Sequence, residues 1–132
     1  MEREGWLSLR KLAQGFWTQA RADYTTAATL LDAGIYYASV FFSQQAAEKA
    51  LKAAAVNKLH RNPRGHQIIQ IANSLDAPIE VMNAAAELNA EFLRSRNPDN
   101  ADGVPAQIYD RESARVHLRA ADVILEWAKA LT

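Results

Sequence analysis

Cysteine is absent from the 132 residues, which excludes disulfides, thiolate metal ligands and cysteine nucleophiles together. Long apolar runs are absent as well, since no window approaches the roughly eighteen consecutive apolar residues of a membrane-spanning helix. Net charge is zero, with 15 basic and 15 acidic side chains, so nothing in the total demands a nucleic acid. The start, Met1-Glu2-Arg3-Glu4-Gly5, is charged and leads into an amphipathic segment, unlike the basic-then-apolar plan of a secretory signal. These absences give the expectation of a cytoplasmic protein with no membrane partner. No strand candidate and no internal repeat is visible. A chain of this length is expected to make one domain, residues 1–132, burying roughly two-thirds of the surface its unfolded form exposes.

What is present is helical periodicity. Leu9, Leu12, Phe16, Ala20, Ala27, Leu30 and Leu31 fall on one stripe of a helix from about Trp6 to Ala33, with Gly15 inside it and Gly34 ending it. A second helix is expected from Ile35 to Leu59, antiparallel to the first, with Val40, Ala47, Leu51 and Ala54 inward. His60 to His66 reads as a loop because Pro63 and Gly65 break the pattern. A short helix over Gln67 to Leu75 and a longer one over Ile79 to Arg94 follow, the latter with Val81, Ala85, Leu88 and Phe92 at helical spacing. From Asn97 to Tyr109 two prolines and a glycine predict a structureless connection, which at this length is usually functional or mobile. Asp110 predicts the N-cap of a last helix, Arg111 to Leu131.

The fold class is therefore all-α, an up-and-down bundle of four long helices plus one short helix. The last helix carries two apolar stripes: Ala114, Leu118, Ala121, Leu125 and Ala128 on one, Val116, Ala120, Val123 and Trp127 on the other. One stripe suffices to join a bundle, so the second calls for cover by another helix of the chain or by the partner in a dimer.

The second helix also carries a polar stripe. Gln44, Gln45, Glu48, Lys49 and Lys52 recur at spacings of three and four, opposite Ala46, Ala47, Ala50, Leu51 and Ala54. The plain reading is intramolecular, with the two glutamines bonding across the helix pair and Glu48 pairing with Lys52. Charge is also uneven along the chain. Residues 49 to 66 hold Lys49, Lys52, Lys58, Arg61 and Arg64 with no acid, and residues 67 to 93 hold Asp76, Glu80, Glu87 and Glu91 with no base. The first stretch could meet phosphate, although no aromatics interleave with it as in a base-stacking surface. His66, after Gly65, reads as capping or packing at the start of the short helix, and no histidine pair has metal-ligand spacing. Neither a metal nor a cofactor is expected.

Gln44-Gln45-Ala46-Ala47-Glu48-Lys49-Ala50-Leu51-Lys52, preceded by a helix ending Leu30-Leu31-Asp32-Ala33-Gly34, resembles the prokaryotic HEPN domain, named for higher eukaryotes and prokaryotes nucleotide-binding. Gly65-His66, Ser95-Arg96-Asn97-Pro98-Asp99 and Tyr109 match its later landmarks. The resemblance spans about Trp6 to Leu131. It implies a dimerising helical bundle, often paired with a minimal nucleotidyltransferase in a toxin–antitoxin-like system. Active members are metal-independent RNA endonucleases with an arginine, a polar residue, and a histidine after four to six intervening positions.

Arg96 matches the arginine and Asn97 the polar residue, but positions 101, 102 and 103 are Ala101, Asp102 and Gly103. The missing group is the one whose ordinary pKa of about 6.5 suits acid–base work near neutrality. Arg111 and His117 have the motif spacing, yet on a regular helix they point about 120° apart. The expectation is a homodimeric binding or regulatory protein with a nucleotidyltransferase partner and a degenerate nuclease motif. The alternatives are an RNA endonuclease centred on Arg96 and Asn97, or on Arg111 and His117, and a non-catalytic nucleotide-binding protein. Lys49, Lys52 and Arg96 are the candidate phosphate contacts.

Overall fold

A computed structural model describes residues 3–100 and 103–132. The chain is all-helical: α1 (Arg3–Asp32), α2 (Tyr36–Leu59), α3 (Ile68–Ser74), α4 (Ile79–Leu88), α5 (Glu91–Arg94), a single 3₁₀ turn (Pro98–Asn100), α6 (Pro105–Ile108) and α7 (Arg111–Lys129). No helix among the described residues is long and apolar enough to cross a membrane.

The link from α1 to α2 is tight because Gly34 takes a left-handed conformation, φ +79°. The amides of Gly34 and Ile35 then donate back to the carbonyls of Leu31 and Leu30 at 3.0 and 2.9 Å, which satisfies the open end of α1 and turns the chain. Helix α2 is central. It packs against α1, α7, α3, α4, α5 and α6, and 13 of its residues are buried, so no face is left purely for solvent. Its alanines make this possible, since Ala46, Ala47, Ala50, Ala53, Ala54 and Ala55 are all fully buried and let neighbouring backbones come close. Ser39 Oγ donates to the Ala27 carbonyl at 2.8 Å and Asn57 Nδ2 to the Leu131 carbonyl at 2.8 Å, pinning α2 to α1 and to the end of the chain. Val40, Ala47, Leu51 and Ala54 point inward as expected.

Three expectations change, and one open alternative is decided. Leu12 is exposed, and Ala13 and Trp17 turn inward in its place. The helix expected over 79–94 is divided after Leu88, because Asn89 is drawn to α3: its Oδ1 accepts from the Ile69 amide at 3.2 Å and its Nδ2 donates to Gln67 at 3.0 Å. The connection over 97–109 is not structureless. It contains the 3₁₀ turn and α6, which begins on the buried Pro105, where a missing N–H costs nothing. The second stripe of α7 is largely covered by this chain itself, with Ala120 buried and Val123 and Trp127 packed on the core, leaving Val116 exposed. Asp110 does cap α7, accepting from the Ser113 amide at 2.8 Å while Ser113 Oγ accepts from the Asp110 amide at 3.0 Å.

Candidate functional site

The polar stripe of α2 becomes a partly buried chain of hydrogen bonds running along the helix. Gln44 Nε2 donates to Glu48 Oε1 at 3.0 Å, Gln45 Nε2 donates to Gln44 Oε1 at 2.7 Å, and Lys49 Nζ donates to Gln45 Oε1 at 2.8 Å. The glutamines thus bond along α2 instead of across the helix pair. Lys49 makes the crossing, 3.1 Å from Asp23 of α1, whose other oxygen accepts from Gln19 at 2.9 Å. Lys52 pairs with Glu48 at 3.3 Å. Both lysines are therefore matched by largely buried carboxylates, which partly cancels the field they would present to a phosphate.

Glu48 has a further partner. His66 Nδ1 stands 2.9 Å from both of its oxygens, donating its proton to the carboxylate. The chain reaches this point through Gly65, whose φ of +82° is left-handed and turns the loop back toward α2. The imidazole lies flat on Phe92, ring centres 3.7 Å apart. His66 thus packs beside α3 without capping it, since the N-cap position is Gln67 and carries no side-chain cap.

Phe92 carries Arg96 as well. The guanidinium carbon is 5.1 Å from the Phe92 ring centre and 5.4 Å from that of Phe41, a cation–π arrangement that fixes an exposed side chain without a carboxylate. Arg96 has no ion pair among the described residues. Asn97 follows it, half-buried. Of the positions where the motif histidine is missing, Ala101 and Asp102 lie outside the described residues, and Gly103 is an exposed glycine with φ +146°.

The alternative pair does not assemble. Arg111 is exposed on the first residue of α7, and no contact among the described residues joins it to His117. His117 is buried, with Nδ1 donating to the Ser113 carbonyl at 2.6 Å and Nε2 facing Glu91 at 3.6 Å and Glu87 at 3.9 Å. Burial alone would lower its pKa, but the hydrogen bonds to Glu91 and Ser113 and the charges of Glu91 and Glu87 outweigh it and raise the value. Glu91, 2 % exposed, also accepts from Tyr109 and pairs with Arg94 at 3.2 Å. Burial pushes its carboxyl up, yet His117, Tyr109 and Arg94 hold it below the usual range. The Tyr109 hydroxyl is pushed up, by burial first and by Glu91 second. This cluster joins α5, the segment after it, and α7.

Sequence reasoning missed Glu91 as the hub of that cluster and Glu48 as the partner of His66. The first had only a faint signal, an acid one residue before Phe92 in a stretch that also carries Glu87 and Asn89. The second had none, because the two residues are 18 apart.

The model of the HEPN domain family matches residues 13–131, and the chain belongs to that family. TT1696 from Thermus thermophilus is similar at 30 % identity with a TM-score of 0.84, over 91 % of this chain and 98 % of that one. ST0689, an archaeal HEPN homologue, is similar at 29 % with a TM-score of 0.79, over 89 % and 95 % of the two chains. A HEPN domain protein from Thermotoga maritima is similar at 27 % with a TM-score of 0.70, over 89 % and 96 %. No curated protein matches.

Proposed function

We propose that this chain is a HEPN-type binding and regulatory protein, homodimeric, that works with a minimal nucleotidyltransferase in a two-component, toxin–antitoxin-like system, its nuclease motif degenerate. The observation that carries the reading is the state of Arg96. The motif arginine is exposed, held on two aromatic rings and free of any carboxylate among the described residues, yet its motif histidine is absent. Such a group binds an anion readily and lacks the proton-transfer partner of the family's nucleases. His117 does not make good the loss, because both of its nitrogens face acceptors in a buried cluster.

The dimer draws support from exposed apolar side chains on the first part of α1, Trp6, Leu7 and Leu12, which is more exposed apolar surface than α7 offers through Val116. Co-expression with the product of a neighbouring nucleotidyltransferase gene tests the reading. Co-purification of the two and a dimer by light scattering are expected; a monomer indifferent to that product sinks it.

A ribonuclease is the second reading, favoured by the placement of His66 on the same phenyl ring as Arg96. Purified protein incubated with total RNA decides between them, and no cleavage is expected. That expectation rests on the absence of a histidine at positions 101–103, which leaves Arg96 without the family's proton-transfer group.

A further inference from the structure

On the outer face of α7 Glu112, Arg115, Arg119, Asp122, Glu126 and Lys129 recur at spacings of three and four, so they form one charged row along the helix. All six are exposed. Their signs run negative, positive, positive, negative, negative, positive, and the row read backwards is its own complement, charge for charge. A second α7 laid antiparallel on the first sets Glu112 against Lys129, Arg115 against Glu126 and Arg119 against Asp122, each pair made twice about a two-fold axis. We propose that a second copy of this chain docks on this row, the two α7 helices antiparallel with the axis between Ala120 and Ala121.

In a lone chain the row repels itself in two places. Arg115 and Arg119 are like charges four residues apart, and so are Asp122 and Glu126, a spacing at which like charges destabilise a helix. The chain supplies little relief, since Glu112 meets Arg115 at 3.5 Å while Arg119, Asp122, Glu126 and Lys129 have no ion pair among the described residues. Asp122 and Glu126 act together on Tyr24 of α1, whose hydroxyl is pushed up by burial first and by these two charges next. In the docked pair each arginine couple faces the acidic couple of the other copy. Both repulsions are then relieved at once.

The row is also one wall of a groove. Clefts of about 610 and 420 Å³ lie between α1 and α7, share Tyr24 and Asp122 in their linings, and together take in all six charges. The α1 side offers Trp17, Tyr24 and Leu31 at spacings of seven, which keeps them on one line of that helix. Trp6, 41 % exposed, stands eleven residues before Trp17 and within about 20° of that line, so it carries the apolar edge on past Lys129. Exposed ion pairs contribute little affinity and mainly fix register, while the apolar edge supplies contact area. An occupant of unlike sequence would have to reproduce the charge order of the row. This chain already carries it.

The inference names the face of the homodimer proposed above and rests on that reading. Two charge-reversed variants of the full chain test it, one with Arg115→Glu and Arg119→Glu, the other with Asp122→Arg and Glu126→Arg, in sedimentation velocity at low salt, with circular dichroism to confirm folding. Wild type is expected to self-associate, and less tightly in high salt; each variant alone is expected to do so about tenfold or more weakly. An equimolar mixture is expected to recover, because each variant then carries the charges that the other faces. A second pair, Glu112→Cys and Lys129→Cys, reads the register in a chain with no other thiol. Mixed and mildly oxidised, these two are expected to cross-link to each other, whereas neither does so by itself, since two copies of one position lie about 25 Å apart along the paired helices. Charge-reversed variants that associate as wild type does, or cysteines that cross-link to themselves as readily as to each other, overturn the proposal and leave the homodimer to another face. A monomeric wild type removes both. Reversed variants that stay dimeric but no longer co-purify with the nucleotidyltransferase also overturn it, and assign the row to that partner.

Discussion

The Glu48 carboxylate and the His66 imidazole are joined at 2.9 Å through Nδ1, a buried anion from the central helix holding a loop histidine whose other nitrogen is left without a described partner. Carboxylate and imidazole in this order fix the tautomer and the ring plane at once. Glu48→Gln is expected to retain the hydrogen bond network in part but to release that fix. Urea melts should show a small loss of stability, on the order of 1 kcal/mol, because the neutral amide keeps part of the bonding to Gln44 and Lys52 but not the charge.

The His117 cluster gives the protein a stability optimum in pH. The folded pKa of His117 is raised, so its contribution is fully present below the ordinary histidine value of about 6.5 and is lost as pH rises through the folded value. The folded pKa of Glu91 is lowered, so its contribution is present above the ordinary glutamate value and is lost as pH falls through the folded value. Urea melts across pH are expected to show highest stability between these limits. His117→Gln should flatten the alkaline side of that profile, and an unchanged slope there would falsify the assignment.

Leu51 is fully buried at the centre of α2, among alanines that have few atoms with which to fill a void. Leu51→Ala is expected to cost about 2–5 kcal/mol, measured as a lower urea midpoint with unchanged slope.

Gly65 has φ +82° with open space around it. Gly65→Ala meets no clash, so its cost is backbone strain, on the order of 1 kcal/mol. The loop is expected to relax and carry His66 away from Glu48. A melting temperature lowered by a few degrees in Gly65→Ala, with little further loss when His66→Gln is added, is the outcome to look for.

Much of the helical content was legible because it is local. The Ile35 to Leu59 helix follows from strong helix formers, the Gly34 stop from backbone freedom, and the Asp110 cap from a short polar side chain before an amphipathic run; each agrees with the structure to within a residue or so. The division of the helix over 79–94 was not legible, because it depends on Asn89 meeting the start of α3, 20 residues earlier. Leu12 misled for a related reason: periodicity tells which residues share a face, and only packing tells how far along α1 that face is covered.

The same line runs through the site. The sequence by itself determined the helical class, the alanine-rich central helix with its polar stripe, and the motif arginine standing without its histidine, since all of these are statements about residue type and near spacing. Only the tertiary structure decided what those residues do. It neutralised Lys49 and Lys52 against Asp23 and Glu48, buried His117 against Glu91, and set His66 and Arg96 each against the Phe92 ring. Spacing along a chain limits contacts only within a helical turn or two; beyond that, which side chains meet is set by how buried faces pack.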